Sequence, residues 1–229
     1  MNGRRSAEAL RIGGLLPLTT IDFPGRLAAV VFCQGCPWRC SYCHNSELLC
    51  ASSEPRVPWS KFVAFLERRR GLLDGVVFSG GEPTLQPALP EALAEVRALG
   101  FQTGLHTAGM YPQHLAEVLP LLDWVGLDIK GPWHRIDAIT AGRDAAPRVQ
   151  ASLARLVASG VDYECRTTWH PQLFSTGELD ALAADLAGRG VAHWALQRCR
   201  IDGVPGGVPG AGQLAALGSR FATFSLRPA

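Results

Sequence analysis

The chain of 229 residues has little charge, and neither sign of charge dominates. Charged residues make up 18% of the sequence, and 22 Lys and Arg residues stand against 20 Asp and Glu residues, for a formal net charge of +2. Proteins that hold a phosphate backbone do so with clustered positive charge that displaces counterions. The composition therefore disfavours nucleic acid as a partner.

Long hydrophobic runs are also absent. No uninterrupted apolar run approaches the roughly 18 residues that a membrane helix requires. The segment Met1–Arg5 is basic, as at the start of a signal peptide, but Arg11, Gly13, Gly14 and Pro17 interrupt the apolar stretch that must follow. We therefore expect a cytoplasmic protein with no membrane partner, whose thiols stay reduced.

Hydrophobic residues, by contrast, make up 47% of the chain, which is enough for one substantial core. We expect a single domain over residues 1–229. Within it we expect an N-terminal extension over residues 1–26, a core over residues 27–200, and a Gly/Pro-rich loop with a C-terminal helix over residues 201–229.

Short β-rich apolar runs alternate with longer helical segments throughout this core. Strands are predicted at residues 27–32, 75–78, 101–105, 124–129, 163–168 and 194–197, and helices near residues 60–70, 88–99, 113–119, 148–158, 176–186 and 213–221. Parallel strands need a crossover connection, which a helix usually provides, so the alternation predicts an α/β fold with six βα units. Six units are two short of a closed barrel, which leaves an open, partial barrel or a doubly wound sheet. In either fold the site lies at the carboxyl ends of the strands.

Four of the seven cysteines lie within eleven residues, directly after the first predicted strand. Cys36, Cys40 and Cys43 have the spacing C-x3-C-x2-C, so one short segment can place three thiolates on one iron–sulfur cluster. A zinc ribbon needs two C-x2-C pairs about 15 to 20 residues apart, so we favour iron–sulfur over zinc. Cys33 either completes a four-cysteine site or is a small buried residue at a strand end, and we favour the second. The same buried role is expected of the other cysteines: Cys50, Cys165 and Cys199.

Polar residues also follow the later predicted strands. In Ser79-Gly80-Gly81-Glu82-Pro83, two glycines allow a backbone to pass close to a ligand, and the carboxylate can accept hydrogen bonds from a cationic amine. Asp128 and Lys130 point to one side of the fourth strand, although a surface ion pair would have the same spacing. Arg166, on the fifth strand, suits a carboxylate or ribose oxygens. His106, on the third, is expected to be a hydrogen-bonded strand-end residue rather than a ligand.

The pattern C-x3-C-x-aromatic-C after a first strand resembles the signature of radical S-adenosylmethionine (SAM) enzymes. The resemblance implies the partial, open six-unit βα barrel of that superfamily. It also implies a 4Fe–4S cluster on Cys36, Cys40 and Cys43, with one iron open for the amino and carboxylate groups of SAM. Ala108 stands where related activating enzymes carry the asparagine of Thr-Asn-Gly. The residues implied to bind SAM are Tyr42, Ser79, Gly80, Gly81, Glu82, Thr107, Asp128, Lys130, Arg166 and Gln197.

Three further segments, Thr19–Arg26, Val31–Cys36 and Cys43–Asn45, resemble activating proteins of anaerobic ribonucleoside-triphosphate reductase. The resemblance implies that SAM is cleaved reductively and that a glycyl radical forms on a partner enzyme, with flavodoxin or ferredoxin as a reductant. One alternative is a radical SAM enzyme that acts on a small molecule, similar to 7-carboxy-7-deazaguanine synthase. Another is an iron–sulfur electron-transfer protein with Cys33 as fourth ligand.

Overall fold

The computed structural model describes residues 6–201 and 203–228. Residues 1–5, which supply the basic start of the chain, lie outside the described residues, as do residues 202 and 229. In the described part, no helix combines the length and the apolar character needed to cross a membrane.

The described residues form ten strands and seven α-helices. The strands are β1 (Ile12–Thr19), β2 (Ala28–Cys33), β3 (Gly75–Gly80), β4 (Gln102–Thr107), β5 (Trp124–Asp128), β6 (Asp162–Trp169), β7 (His193–Arg198), β8 (Arg200–Ile201), β9 (Val204–Pro205) and β10 (Thr223–Arg227). The helices are α1 (Trp59–Glu67), α2 (Leu89–Ala98), α3 (Pro112–Val118), α4 (Ile136–Thr140), α5 (Ala145–Ser159), α6 (Thr176–Gly188) and α7 (Ala211–Gly218). Strands and helices thus alternate from β2 to β7, which confirms the predicted α/β organisation.

Eight of these strands form one sheet, in the order β1-β2-β3-β4-β5-β6-β7-β10, while β8 and β9 pair with each other. β3 is parallel to both β2 and β4, and β7 is parallel to both β6 and β10. β1 is antiparallel to β2. Because the order starts at β1 and ends at β10, the sheet is open, as expected, and does not close into a barrel.

The sequence does not predict the two outermost strands of this sheet, β1 and β10. β1 contains Gly13, Gly14 and Pro17, which are rare inside strands, and proline is tolerated there because an edge strand has one side without a strand partner. β10 has five residues, none of them fully buried, so it lacks the apolar run that marks a central strand. Parts of the expected N-terminal extension and C-terminal segment therefore complete the sheet.

The chain divides into two compact units. The first comprises the residues up to Pro37, residues 45–107 and residues 111–125, and the second comprises residues 38–44, 108–110 and 126 onwards. The division falls inside β5 and inside the segment that carries the clustered cysteines. Cys36 therefore belongs to the first unit, and Cys40 and Cys43 belong to the second.

In the first unit, the segment between β1 and β2 inserts Phe23 into the core. Phe23 packs in a buried cluster with Val30, Val77 and Trp124, and its ring centroid lies 6.0 Å from that of Trp124. A Cβ atom on Gly75 would come within 2.8 Å of the Phe23 ring, so glycine makes room for it. Burial of such a side chain contributes roughly 1.5–3 kcal/mol, which anchors the segment.

In the second unit, Trp194 of β7 holds the C-terminal segment. Its ring centroid lies 5.0 Å from that of Phe221 and 5.5 Å from that of Phe224. Its indole N–H donates to Oγ1 of Thr167 on β6 at 3.0 Å, which satisfies a buried donor. These contacts explain why β10 joins the sheet beside β7.

Candidate active site

A buried glutamine fixes the backbone ahead of Cys36 in the first unit. The side-chain amide of Gln34 donates to the carbonyl oxygens of Glu47 and Cys50, at 3.3 and 2.8 Å. The N–H of Cys36 donates to the carbonyl oxygen of Leu49 at 3.2 Å. Because Gln34 is only 2% exposed, its hydrogen bonds are shielded from water and strengthened by the low local dielectric.

The two glycines at the end of β3 allow this strand to approach the cysteine-bearing segment. The N–H groups of Gly81 and Glu82 donate to the carbonyl oxygens of Cys33 and Gly35, at 2.9 and 2.8 Å. A Cβ atom on Gly81 would lie 2.2 Å from the Gly35 oxygen, and one on Gly80 would lie 2.6 Å from the Cys33 nitrogen. The sequence predicts a close approach to a ligand, and the structure describes a close approach between two backbones.

Glu82 is a buried carboxylate, 2% exposed, in the turn that follows β3. Its Oε1 accepts hydrogen bonds from the N–H of Thr84 at 3.1 Å, from Oγ1 of Thr84 at 2.5 Å and from Oγ1 of Thr107 at 2.7 Å. All three donors are neutral. Hydrogen bonds from such donors stabilise the ionised form of a carboxylate.

In the second unit, α4 supports the rest of the cysteine-bearing segment. The N–H of Arg39 donates to the carbonyl oxygen of Thr140 at the end of this helix, at 2.8 Å, and the N–H of Cys43 donates to the carbonyl oxygen of Cys40, at 3.1 Å. The sequence does not predict α4, because five residues are too few to display a helical period.

Asp128, Lys130 and Arg166 form one group where the carboxyl end of β5 lies beside the middle of β6. Oδ2 of Asp128 accepts from Nζ of Lys130 at 2.9 Å, and Oδ1 accepts from Nε of Arg166 at 2.7 Å. Nζ of Lys130 also lies 5.8 Å from the centroid of the Tyr42 ring, within the range of a cation–π interaction. One carboxylate and two cations leave these three side chains with a net charge of +1.

This group is mostly buried and is not the surface ion pair of the alternative interpretation. The side chains of Arg166, Lys130 and Asp128 are 8%, 16% and 24% exposed. Burial by itself lowers the pKa of Lys130, but the Asp128 carboxylate, followed by Tyr42 and Cys40, raises it, and the net shift is upward. Lys130 therefore stays protonated at neutral pH.

Cys36, Cys40 and Cys43 are half-buried cysteines. No group of three or more His, Cys, Asp and Glu side chains among the described residues is arranged to hold a single metal ion. Thiolates on one short segment are the soft ligands that iron–sulfur clusters use. The chemistry of these thiols thus fits the ligands that a 4Fe–4S cluster requires.

The other cysteines differ in their exposure. Cys33 is fully buried, and burial, followed by the charge of Glu82, raises the pKa of its thiol above the ordinary value. The expectation of burial is wrong for Cys50, which is exposed, because hydrogen bonds with Ser52 and Ser53 hold it in a surface turn and lower its pKa to about 7. Two further cysteines are buried, as expected: Cys165 and Cys199.

The described contacts bring the predicted residues together in two groups. In the first unit, Glu82 contacts Thr107 directly. Gln197 joins neither group among the described residues, and it lies half-buried on β7 opposite Thr168 of β6. The second unit contains the larger group: Tyr42, Asp128, Lys130 and Arg166.

Sequence reasoning did not select several residues that hold this region. The Gln86 side chain accepts from the N–H of Arg11 at 2.7 Å and donates to the carbonyl oxygen of Gln34 at 3.2 Å. A glutamine within an apolar stretch of sequence is a signal of a buried, hydrogen-bonded amide, and it would have identified the side chains of Gln34 and Gln86. Thr84 carries no such signal, since a threonine after a proline is ordinary in a turn. His106 is a hydrogen-bonded strand-end residue, as expected.

Residues 30–173 match a family model described as the radical SAM superfamily. The chain is 28% identical over 192 residues to a Methanocaldococcus jannaschii protein named as a glycyl-radical enzyme activating enzyme, with 75% of this chain and 73% of that protein covered. It is 37% identical over 125 residues to the pyruvate formate-lyase-activating enzyme of Clostridium pasteurianum, with 52% of each covered. SuiB of Streptococcus suis, in a crystal structure with S-adenosylmethionine, shares the fold with a TM-score of 0.60 at 13% identity, over 86% of this chain and 48% of SuiB.

The chain spans about half the length of the Clostridium and Streptococcus proteins that it matches. The family model covers more than half of the chain, from β2 to the segment after β6. The chain therefore belongs to the radical SAM superfamily.

Proposed function

We propose that this chain is a radical SAM enzyme that activates a glycyl-radical enzyme. When bound, a 4Fe–4S cluster and SAM would supply one-electron reductive cleavage of a sulfonium C–S bond, and with it the removal of a hydrogen atom from a glycine of the partner. Cys36, Cys40 and Cys43 hold the cluster. Flavodoxin or ferredoxin is the proposed reductant. The proposed SAM-binding residues are Tyr42, Ser79, Gly80, Gly81, Glu82, Thr107, Asp128, Lys130, Arg166 and Gln197.

The observation that carries this proposal is the buried carboxylate of Glu82. A carboxylate in a protein interior is unfavourable unless it is hydrogen-bonded, and three donors to Oε1 meet that need. The charge that they stabilise suits a cationic amine. Glu82 is therefore assigned to the ammonium group of SAM.

The group around Asp128 supports the binding of a second group of SAM, its carboxylate. Its net positive charge suits an anion, and the planar guanidinium of Arg166 matches the geometry of a carboxylate. Asp128 holds the two cations in place through hydrogen bonds of 2.9 and 2.7 Å. Arg166 and Lys130 are therefore assigned to the carboxylate of SAM.

Relatives named as activating enzymes support a protein partner that receives a glycyl radical. The segments Thr19–Arg26 and Cys43–Asn45 favour anaerobic ribonucleoside-triphosphate reductase, which we propose as the partner. The Clostridium relative is named for pyruvate formate-lyase instead, so both enzymes belong in the test.

The test mixes anaerobically reconstituted protein, SAM and a reductant with each candidate partner and records electron paramagnetic resonance spectra. We expect a glycyl radical on the reductase and none without SAM. A radical on pyruvate formate-lyase alone would overturn the choice of partner. Cleavage of SAM without a radical on either enzyme would point to a small-molecule substrate.

Two cysteine variants test the assignment of the cluster. Cys40→Ala is expected to lose the iron and the visible absorbance of the reconstituted protein, because a ligand is removed. Cys33→Ala is expected to retain both, since Cys33 is buried at the end of β2. Loss of the cluster in Cys33→Ala would instead favour a four-cysteine site and an electron-transfer protein.

A further inference from the structure

His106 is a buried histidine to which the proposed function gives no role. Its Nδ1 lies 3.2 Å from Oγ of Ser79, and its Nε2 lies 3.0 Å from the carbonyl oxygen of Asp22. Its ring lies edge-on to Trp124, with 5.5 Å between centroids and 70° between planes. Contacts with three parts of the chain thus fix the orientation of the ring.

His106 and Ser79 are neighbours across the sheet at the carboxyl ends of their strands. Phe78 of β3 pairs with Leu105 of β4. The next residues on the two strands are Ser79 and His106, which therefore lie side by side. Side chains two positions apart share a face of a strand, so Ser79 faces the same way as Val77 of the buried cluster. Ser79 and His106 therefore lie on the core face of the sheet, nearer to the carboxyl ends of the strands than Val77.

The partners of the ring determine where its hydrogen lies. The carbonyl oxygen of Asp22 can only accept, so the hydrogen bond at 3.0 Å requires a hydrogen on Nε2. In the neutral imidazole, Nδ1 is then an acceptor, and Ser79 must donate its hydroxyl hydrogen to it. Oγ of Ser79 is left with lone pairs only.

We propose that His106 is a positioning residue that makes Ser79 a hydrogen-bond acceptor for the ammonium group of SAM. The inference rests on the proposed function, because it presumes that SAM binds beside the Ser79–Glu82 motif. An ammonium group has only donors, so a serine whose hydrogen is already engaged offers it a lone pair without competition.

The segment after β1 holds the far side of the ring. Oγ1 of Thr19 donates to Oδ2 of Asp22 at 2.6 Å, and the next residue, Phe23, is buried in the core. The carbonyl oxygen that His106 contacts is therefore part of an anchored segment. This gives the segment Thr19–Arg26 a role in the first unit that its sequence motif does not reveal.

Two substitutions of His106 separate its two hydrogen bonds. In His106→Asn, the side-chain oxygen can take the place of Nδ1 and accept from Ser79, but the side chain is too short to reach Asp22. In His106→Gln, the side-chain nitrogen can take the place of Nε2 and donate to Asp22, but Ser79 loses its acceptor. The readout is the dissociation constant of SAM for the anaerobically reconstituted protein.

We expect His106→Gln and Ser79→Ala each to raise the dissociation constant by about tenfold, since each removes one oriented hydrogen bond. His106→Asn is expected to raise it by less than about threefold. The double variant Ser79→Ala/His106→Gln is expected to bind no more weakly than Ser79→Ala alone, because both changes disable one interaction. The opposite order of Asn and Gln, or additive effects, would overturn the inference.

A histidine at the other end of a strand provides a matched control. Nδ1 of His193 lies 2.8 Å from Oγ1 of Thr223, near the amino end of β7, so His193→Gln removes a similar hydrogen bond and is expected to leave SAM affinity unchanged. If wild-type protein neither binds nor cleaves SAM, the proposed function fails and this inference fails with it. If wild-type protein cleaves SAM and the order of the variants is reversed, only this inference fails.

Discussion

Two carboxylates at strand ends, Glu82 in the first unit and Asp128 in the second, are held by opposite means. Oε1 of Glu82 accepts hydrogen bonds from the neutral groups of two threonines. Asp128 accepts from two cations, Lys130 and Arg166. These donors to Glu82 are thus neutral, whereas those to Asp128 carry positive charge.

From this difference we infer that the partners of these two carboxylates, more than their burial, indicate their tasks. In the proposed function, Glu82 receives the ammonium group of SAM. A carboxylate held by two cations organises them, and its loss leaves buried positive charges without a counterion. The two residues should therefore respond differently to replacement by their neutral amides.

The largest effect on the ligand is expected for Glu82→Gln. The amide oxygen can still accept the hydrogen bonds of both threonines, but the negative charge opposite the ammonium group is gone. We expect the dissociation constant of SAM to rise by about a hundredfold, measured by equilibrium binding to reconstituted protein. The free energy of unfolding is expected to change by less than about 1 kcal/mol. An unchanged dissociation constant of SAM in Glu82→Gln would contradict the proposed difference between Glu82 and Asp128.

The next effect concerns stability and is expected for Asp128→Asn. Removal of the charge leaves Lys130 and Arg166 mostly buried without their counterion, which should lower the free energy of unfolding by about 3 kcal/mol in a urea titration. The control is Asp185→Asn, since Asp185 pairs with Arg189 at 2.6 Å with both side chains more exposed, at 38% and 37%, and this variant should lose less than about 1 kcal/mol. Equal losses in the two variants would contradict the assignment.

A smaller effect is expected for Thr107→Val, which removes one of the donors to Glu82. The loss of one hydrogen bond to the carboxylate should raise the dissociation constant of SAM by about fivefold. Thr103→Val is the matched control, because Thr103 lies on the same strand and donates its hydroxyl to the carbonyl oxygen of Leu121. This control should lose stability while its affinity for SAM stays unchanged.

The smallest effect is expected for the pH dependence of the Asp128 group. The pKa of Lys130 is raised above its ordinary value, so its contribution to stability is complete below about pH 10.5 and is lost only as pH rises through the shifted pKa. The difference in unfolding free energy between wild type and Lys130→Met should therefore stay constant between about pH 7 and pH 10. A difference that shrinks over this range would show that Lys130 loses its proton there.

The sequence predicts β2 to β7 well because buried parallel strands are continuous apolar runs between glycine, proline and aspartate. The end strand β1 escapes prediction because glycine and Pro17 interrupt its pattern. The short helix α4 is not predicted because its five residues are too few to show a helical period of apolar residues.

The candidate residues are predicted because motifs follow strand ends, but their contacts are not. Glu82 and Thr107 are 25 positions apart, and Ser79 and His106 are 27 apart. Hydrogen bonds over such separations depend on strand order and register, which no local pattern records. The exposure of Cys50 escaped for the same reason, since only the folded turn places it at the surface.

The most direct test of the central claim is the formation of 5′-deoxyadenosine by the anaerobically reconstituted protein with SAM and dithionite. The account predicts that wild type forms this product, that Cys40→Ala forms none, and that Glu82→Gln forms it far more slowly at limiting SAM. Wild-type protein that carries a complete 4Fe–4S cluster but yields no 5′-deoxyadenosine would contradict the account.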